Sequence, residues 1–224
     1  MSADTQRISA TPILISDFDG TMTRYDFYQL AAESLVPSET PDYWGDYLAG
    51  RLTHFEALRR IFATIRADEA DVLATARRME LDPALAPAVA RLEHAGWEIA
   101  VASAGCAWYI RYLLDAAQAR ITVHANPGQY VPGYGLVMEL PTDSPYYAEA
   151  TGISKDAVVR DALATHRLVA FAGDGRPDLA AALLVDPPYR FARGWLAEHL
   201  REQDIPFQAF NNWAEIADKL APVS

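Results

Sequence analysis

ILISDFDGTMT (residues 13–23) joins an unbroken apolar run to two aspartates, a glycine and a threonine. Ile13-Leu14-Ile15 shows no polar alternation, which fits a strand buried on both faces of a parallel sheet. Asp17 and Asp19 follow where such a strand ends. A core strand gains nothing from two carboxylates, so their cost has another origin. In open α/β sheets ligands bind beyond the carboxyl ends of the strands. Residues i and i+2 share a strand face at about 6–7 Å, room enough for a metal ion and a phosphoryl group. Gly20 permits a turn that other residues make only at a cost.

The rest of the chain repeats the pattern of strand followed by helix. Residues 12–17, 97–103, 120–125 and 168–173 read as buried strands, with a weaker fifth at 206–210. Helical periodicity covers 85–95, ending at Gly96, then 106–117, 155–165 after Ser154 as N-cap, and 213–220 after Asn212. Alternation of this kind predicts an α/β fold, a Rossmann-like three-layer sandwich around a parallel sheet. Residues 24–82 break it. They read as amphipathic helices, including 54–66 and 68–79, and predict a helical cap (24–82) inserted into a core of residues 1–23 and 83–224. Residues 127–152, rich in Pro, Gly and Tyr, predict a hairpin and a long loop.

Composition narrows the function classes. The 224 residues, 51% of them hydrophobic, suffice for one large domain, or for one domain and a modest insertion. A formal net charge of −11 argues against a phosphate backbone as partner, so no nucleic acid is expected. A single cysteine, Cys106, supports neither a disulfide framework nor a cysteine zinc site, as suits a reducing compartment. MSADTQRISATP is polar, so no signal peptide is expected, and no apolar run approaches the roughly 20 residues of a membrane span. The expectation is a soluble cytoplasmic protein.

Three more stations carry chemistry. Ser103 in ASAG (102–105) ends a strand and opens a helix, where backbone N–H groups attract anions. Lys155 in GISKDAVV (152–159) sits in a first helical turn, where the helix dipole opposes a cation unless an anion is near. Asp174 and Asp178 in AGDGRPDL (172–179) offer hard oxygen ligands of the kind that suit Mg²⁺ better than zinc. Singly, each has an ordinary explanation: a capping serine, a solvated lysine, an Asp-Gly turn.

Together, in the order acid pair, serine, lysine, acid pair, they resemble the haloacid dehalogenase superfamily of phosphatases across the whole chain. DFDGTMTRYD (17–26), the helix after Ser103 and the tail RFARGWLAEHLREQDIPFQAF (190–210) resemble its phosphoserine phosphatase-like branch, and more narrowly the methionine-salvage phosphatases there. Two departures stand out. LPTDSPYYAEATGISK (140–155) holds no cysteine where that group often has several, and Ala104 stands where the family usually has glycine. The resemblance implies a mechanism. Asp17 is the nucleophile that becomes an aspartyl phosphate, and Asp19 is the general acid and base. Mg²⁺ is held by Asp17, the carbonyl of Asp19, and Asp174, and Asp178 supports the metal or Lys155. Ser103, the Ala104 amide and Lys155 hold the transferring oxygens of a small phosphorylated metabolite.

Other readings compete. Phosphoserine phosphatase would need groups for an ammonium and a carboxylate. A dehalogenase would not need Asp19 or a metal. A receiver-like module would be about half as long, and a silent phosphate-binding member would lack one of the stations. His54, His94, His124, His166 and His199 show no ligand spacing, and Cys106 reads as a small buried residue. Tyr130, Tyr134, Tyr146 and Tyr147 suit a pocket mouth or plain packing, and Arg24, Tyr28 and Trp44 are candidate substrate contacts.

Overall fold

The computed structural model describes residues 11–165 and 167–222. Residues 1–10, His166 and residues 223–224 lie outside them. The first strand, β1 (Ile13–Ser16), is followed by four helices: α1 (Phe27–Ser34), α2 (Tyr43–Leu48), α3 (His54–Phe62) and α4 (Glu69–Arg77). Then come α5 (Leu85–His94), β2 (Glu98–Cys106), α6 (Ala107–Ala116) and β3 (Thr122–Asn126). A hairpin, β4 (Gly128–Val131) and β5 (Gly135–Met138), precedes a smaller one, β6 (Tyr147–Ala148) and β7 (Gly152–Ile153). The chain continues through α7 (Lys155–Ala164), β8 (Val169–Gly173), α8 (Leu179–Ala182), β9 (Arg190–Ala192), α9 (Gly194–Glu202), β10 (Gln208–Ala209) and α10 (Ala214–Leu220).

Six strands form one sheet in the order β10-β9-β8-β1-β2-β3, each pair parallel. Side chains alternate across β1. Leu14 joins the core of α5, α6 and α10, while Ile13 and Ile15 join that of α7, α8 and α9. The result is the expected three-layer α/β sandwich. Ser16 lies level with Val101 of β2 and Ala172 of β8, so the three strands reach one edge of the sheet in register. Asp17, Ser103 and Asp174 all fall just beyond it.

Two details differ from the expected pattern. Strand β2 runs three residues past Ser103, through an irregular step beside β3, because the Asn126 side-chain amide donates to the Ala104 carbonyl at 2.8 Å. Strand β9 was not predicted. It has only three residues, and it opens on a buried arginine rather than a hydrophobe. Arg190 earns its place by donating to the carbonyls of Ala182, Val185 and Pro206, each at 2.7 Å. Three of the five guanidinium donors are thereby met inside the fold.

Residues 24–82 leave and return at one point. Thr23 bridges Leu81, the Arg24 N–H donates to Met79 O at 2.9 Å, and the Asp82 N–H donates to Met22 O at 3.0 Å. Helix α3 starts in a capping box: Thr53 Oγ1 accepts from the Glu56 N–H at 3.1 Å, and Glu56 Oε2 accepts from the Thr53 N–H at 3.0 Å. Its apolar face buries Phe55, Leu58, Ile61 and Phe62. The β4–β5 hairpin packs on α3 through buried Leu136 and Met138, and Tyr130 donates to the Ala67 carbonyl at 3.1 Å.

Candidate active site

Asp17 follows the last hydrogen-bonded residue of β1, with its N–H donating to Ala172 O at 2.9 Å. Its Oδ1 accepts from the Phe18 N–H at 2.7 Å, and its Oδ2 lies 2.7 Å from Lys155 Nζ. Lys155, 4% exposed, also donates to Asp178 Oδ1 at 2.5 Å. The other oxygen of Asp178 accepts from the Asp174 N–H at 3.0 Å and the Gly175 N–H at 2.8 Å. The lysine at a helix start is thus clamped between two carboxylates, one just past β1 and one in the turn after β8. Burial would lower its pKa, yet the charges of Asp17 and Asp178 hold it above the usual lysine value.

Asp174 accepts from Thr21 Oγ1 at 2.7 Å, tying the loop after β8 to the turn after β1. That turn needs Gly20, whose φ is +68° and whose missing Cβ leaves room for the Asp174 carboxylate. Carboxylate oxygens of Asp17, Asp174 and Asp178 lie within 4.8 Å of one another. Burial, then the neighbouring Asp178, push Asp174 up to about 7. The same two causes outweigh Lys155 and raise Asp17. Such crowding of hard oxygens is relieved by a divalent cation, so the donor set fits Mg²⁺. Asp178 is already bonded to Lys155 and two amides, which suits support more than direct ligation.

Asp19 faces the same space from the other side. Its Oδ1 accepts from the Phe27 N–H at 3.1 Å, and Tyr109 Oη lies 3.1 Å from Oδ1 and 2.9 Å from Oδ2. Burial raises its pKa to about 6, against these hydrogen bonds. Ser103 Oγ accepts from the Gly105 N–H at 3.0 Å and lines the cavity with Ala104. All four stations of the sequence therefore converge on one cavity of about 340 Å³.

The opposite wall comes from residues 24–82. Tyr28 and Trp44 stack with centroids 3.9 Å apart, and Tyr47 and His54 pack edge-on beside them. Tyr28 and Trp44 thus stand where substrate contacts were expected. Arg24 does not; it is exposed and pairs with Glu80 at 3.3 Å. Three cavity residues had no clear signal in the sequence. His54 looked like a scattered histidine, but it faces the cavity, and burial, then Lys155, lower it to about 4. Asp26 also lines it, raised by burial and by Asp19. Arg176 sits at the rim, 4.7 Å over the Trp195 ring. Cys106 is buried, and burial pushes its thiol up to about 12, so it is unreactive. His124 packs edge-on to Tyr146, and His199 stacks on Trp195, both as structural residues.

This fold and this convergence define a hydrolase class. The chain belongs to the haloacid dehalogenase-like hydrolase family, whose model matches residues 14–183. A curated relative from Brevibacillus brevis, 2-hydroxy-3-keto-5-methylthiopentenyl-1-phosphate phosphatase, is 24% identical over 212 residues, covering 91% of this chain and 92% of its own. Among solved structures, a HAD family hydrolase from Salmonella enterica serovar Typhi superposes with TM-score 0.70 at 18% identity, covering 96% of this chain and 72% of that one. Phosphoserine phosphatase from T. onnurineus superposes with TM-score 0.63 at 15% identity over all of both chains. These structures share the fold. Among the described residues no helix is long and apolar enough to cross a membrane.

Proposed function

We propose that the chain is a Mg²⁺-dependent phosphatase acting on a small phosphorylated metabolite through an aspartyl phosphate on Asp17. The observation that carries this is Lys155 clamped between Asp17 and Asp178 with Asp174 beside them, in one cavity with Asp19 and Ser103. Asp17, the Asp19 carbonyl and Asp174 would hold the ion, and a bound ion would shield the nucleophile from the phosphate charge. The Phe18 N–H and Lys155 orient the Asp17 carboxylate for attack at phosphorus. Lys155, Ser103 and the Ala104 amide hold the transferring oxygens as charge shifts among them. Asp19, raised to about 6, gives its proton to the leaving oxygen and takes one from the water that attacks the phosphoenzyme. Asp178 fixes Lys155.

In this reading residues 24–82 act as a cap over a core of 1–23 and 83–224. The paired crossings at Thr23 and Leu81 support it, since they leave one narrow junction. The wall of Tyr28, Trp44, Tyr47, Leu58 and Phe62 favours a substrate with an apolar tail. A thioether suits it well, as sulfur against aromatic rings gains about 0.3–1.5 kcal/mol per contact. The name of the Brevibacillus relative supports the corresponding ester, 2-hydroxy-3-keto-5-methylthiopentenyl 1-phosphate, as the substrate. Phosphoserine is the second reading, favoured by Asp26 and Arg176, which offer a carboxyl acceptor to an ammonium and a guanidinium to a carboxylate. Turnover of both esters, with an aryl phosphate as reference, tests the proposal. A ranking with the methylthio ester first supports it. No turnover of any ester, or a long-lived phosphoprotein instead, defeats it.

A further inference from the structure

The acid/base carboxylate is held by a residue 90 positions away in the chain. Tyr109 is 1% exposed, and within hydrogen-bonding distance its hydroxyl meets the two oxygens of Asp19. The hydroxyl's one proton can serve either. Oδ1 has a second donor in the Phe27 N–H, whereas Oδ2 has Tyr109. The two donors belong to one packed unit, because the Tyr109 and Phe27 rings stack with centroids 4.4 Å apart. Gly105 keeps this meeting point clear. A Cβ there would strike the Tyr109 hydroxyl and lie 2.7 Å from Asp19 Oδ2.

We infer that Tyr109 is a positioning residue for Asp19, fixing the plane of its carboxylate so that one oxygen faces the leaving group, and tying that geometry to the first turn of α1. The inference rests on the proposed role of Asp19 as general acid and base. Proton transfer requires hydrogen-bond reach and alignment, and a carboxylate free to rotate spends little time in the productive orientation. A phenol that only filled the core would act on stability alone.

The test is a double-mutant cycle with wild type, Tyr109→Phe, Asp19→Asn and the pair, assayed on an alkyl and an aryl phosphate. General acid–base help is worth roughly 10²–10⁴-fold, so loss of alignment in Tyr109→Phe should lower kcat on the alkyl ester by roughly 10- to 100-fold. KM should stay within about 2-fold, and the first step on the aryl ester, which needs less protonation, should fall less. In the Asp19→Asn background the same change should cost less than about 2-fold, because its target is gone. Thermal melts confirm that all four proteins fold. Equal losses in both backgrounds, equal losses on both esters, or an unchanged kcat would overturn the inference while leaving the phosphatase intact. An inactive wild type would instead overturn the proposed function, and this role with it.

Discussion

Asp174→Asn should make the metal-free protein more stable at pH 8, and the size of the gain follows from the site. Asp174 has a pKa near 7 in the fold, because burial and Asp178 oppose its charge, against 3.8 as its ordinary value. The shift is about 3 units, and at about 1.4 kcal/mol per unit it amounts to about 4 kcal/mol. The carboxylate faces a cavity, so solvent reduces this to about 2–4 kcal/mol. The sign is fixed by proton counting. Between pH 4 and 7 the folded chain binds more protons at this site than the unfolded chain, so wild-type stability falls as pH rises through that window and is flat above it. Asparagine carries no such cost, and its Oδ1 can still accept from Thr21. For a chain of this size 1 kcal/mol moves Tm by roughly 2–4 °C, so the variant should melt several degrees above wild type at pH 8 in chelator. The gap should close towards pH 4. Added Mg²⁺ should raise the wild type and move the variant much less. A variant no more stable than wild type at pH 8 in chelator would refute the electrostatic account of the cluster.

Other outcomes follow from the same geometry. Chelation should abolish turnover and Mg²⁺ restore it, with Asp174→Asn needing more metal; full activity in excess chelator would remove the metal from the account. Lys155→Met should cut kcat and leave Asp178 buried beside an apolar group, and breaking a buried pair costs about 3–5 kcal/mol, visible as a lower denaturation midpoint. Trp44→Ala should raise KM for esters with apolar tails more than for a minimal alkyl phosphate, measured as the ratio of kcat/KM values. Exchanging residues 24–82 for another family member's insertion should reorder a substrate panel, and an unchanged ranking would mean that specificity lies elsewhere.

Much of this was legible in the sequence because parallel sheets write themselves as apolar runs. The strands at 12–17, 97–103 and 168–173 are such runs, and each delivers its chemistry at its predicted end or one residue past it. Gly20 and Lys155 were legible as anomalies: a glycine where φ must be positive, and a cation at the wrong end of a helix dipole. What escaped had no local pattern. Strand β9 is too short for periodicity and is stapled by Arg190. His54 starts an amphipathic helix and reads as an ordinary surface or core histidine until Trp44 and Tyr47 are packed against it. Asp26 follows a tyrosine in a turn, with nothing to separate it from a helix cap, yet its side chain makes no capping hydrogen bond. Tyr109 falls on the buried face of α6, where periodicity assigns it to the core. Only the fold reveals that its hydroxyl meets Asp19.

The central claim is that Asp17 itself takes the phosphoryl group. Asp19→Asn leaves that nucleophile in place but removes the base that activates water, so the intermediate should build up on an aryl phosphate. Rapid acid quench, borohydride reduction and peptide mapping of this variant measure it directly, since reduction turns an acyl phosphate into a homoserine. The account predicts homoserine at position 17 after substrate and none without it, with Asp17→Asn giving none at all. Product release with no modification at Asp17, or with the label on another residue, would contradict it.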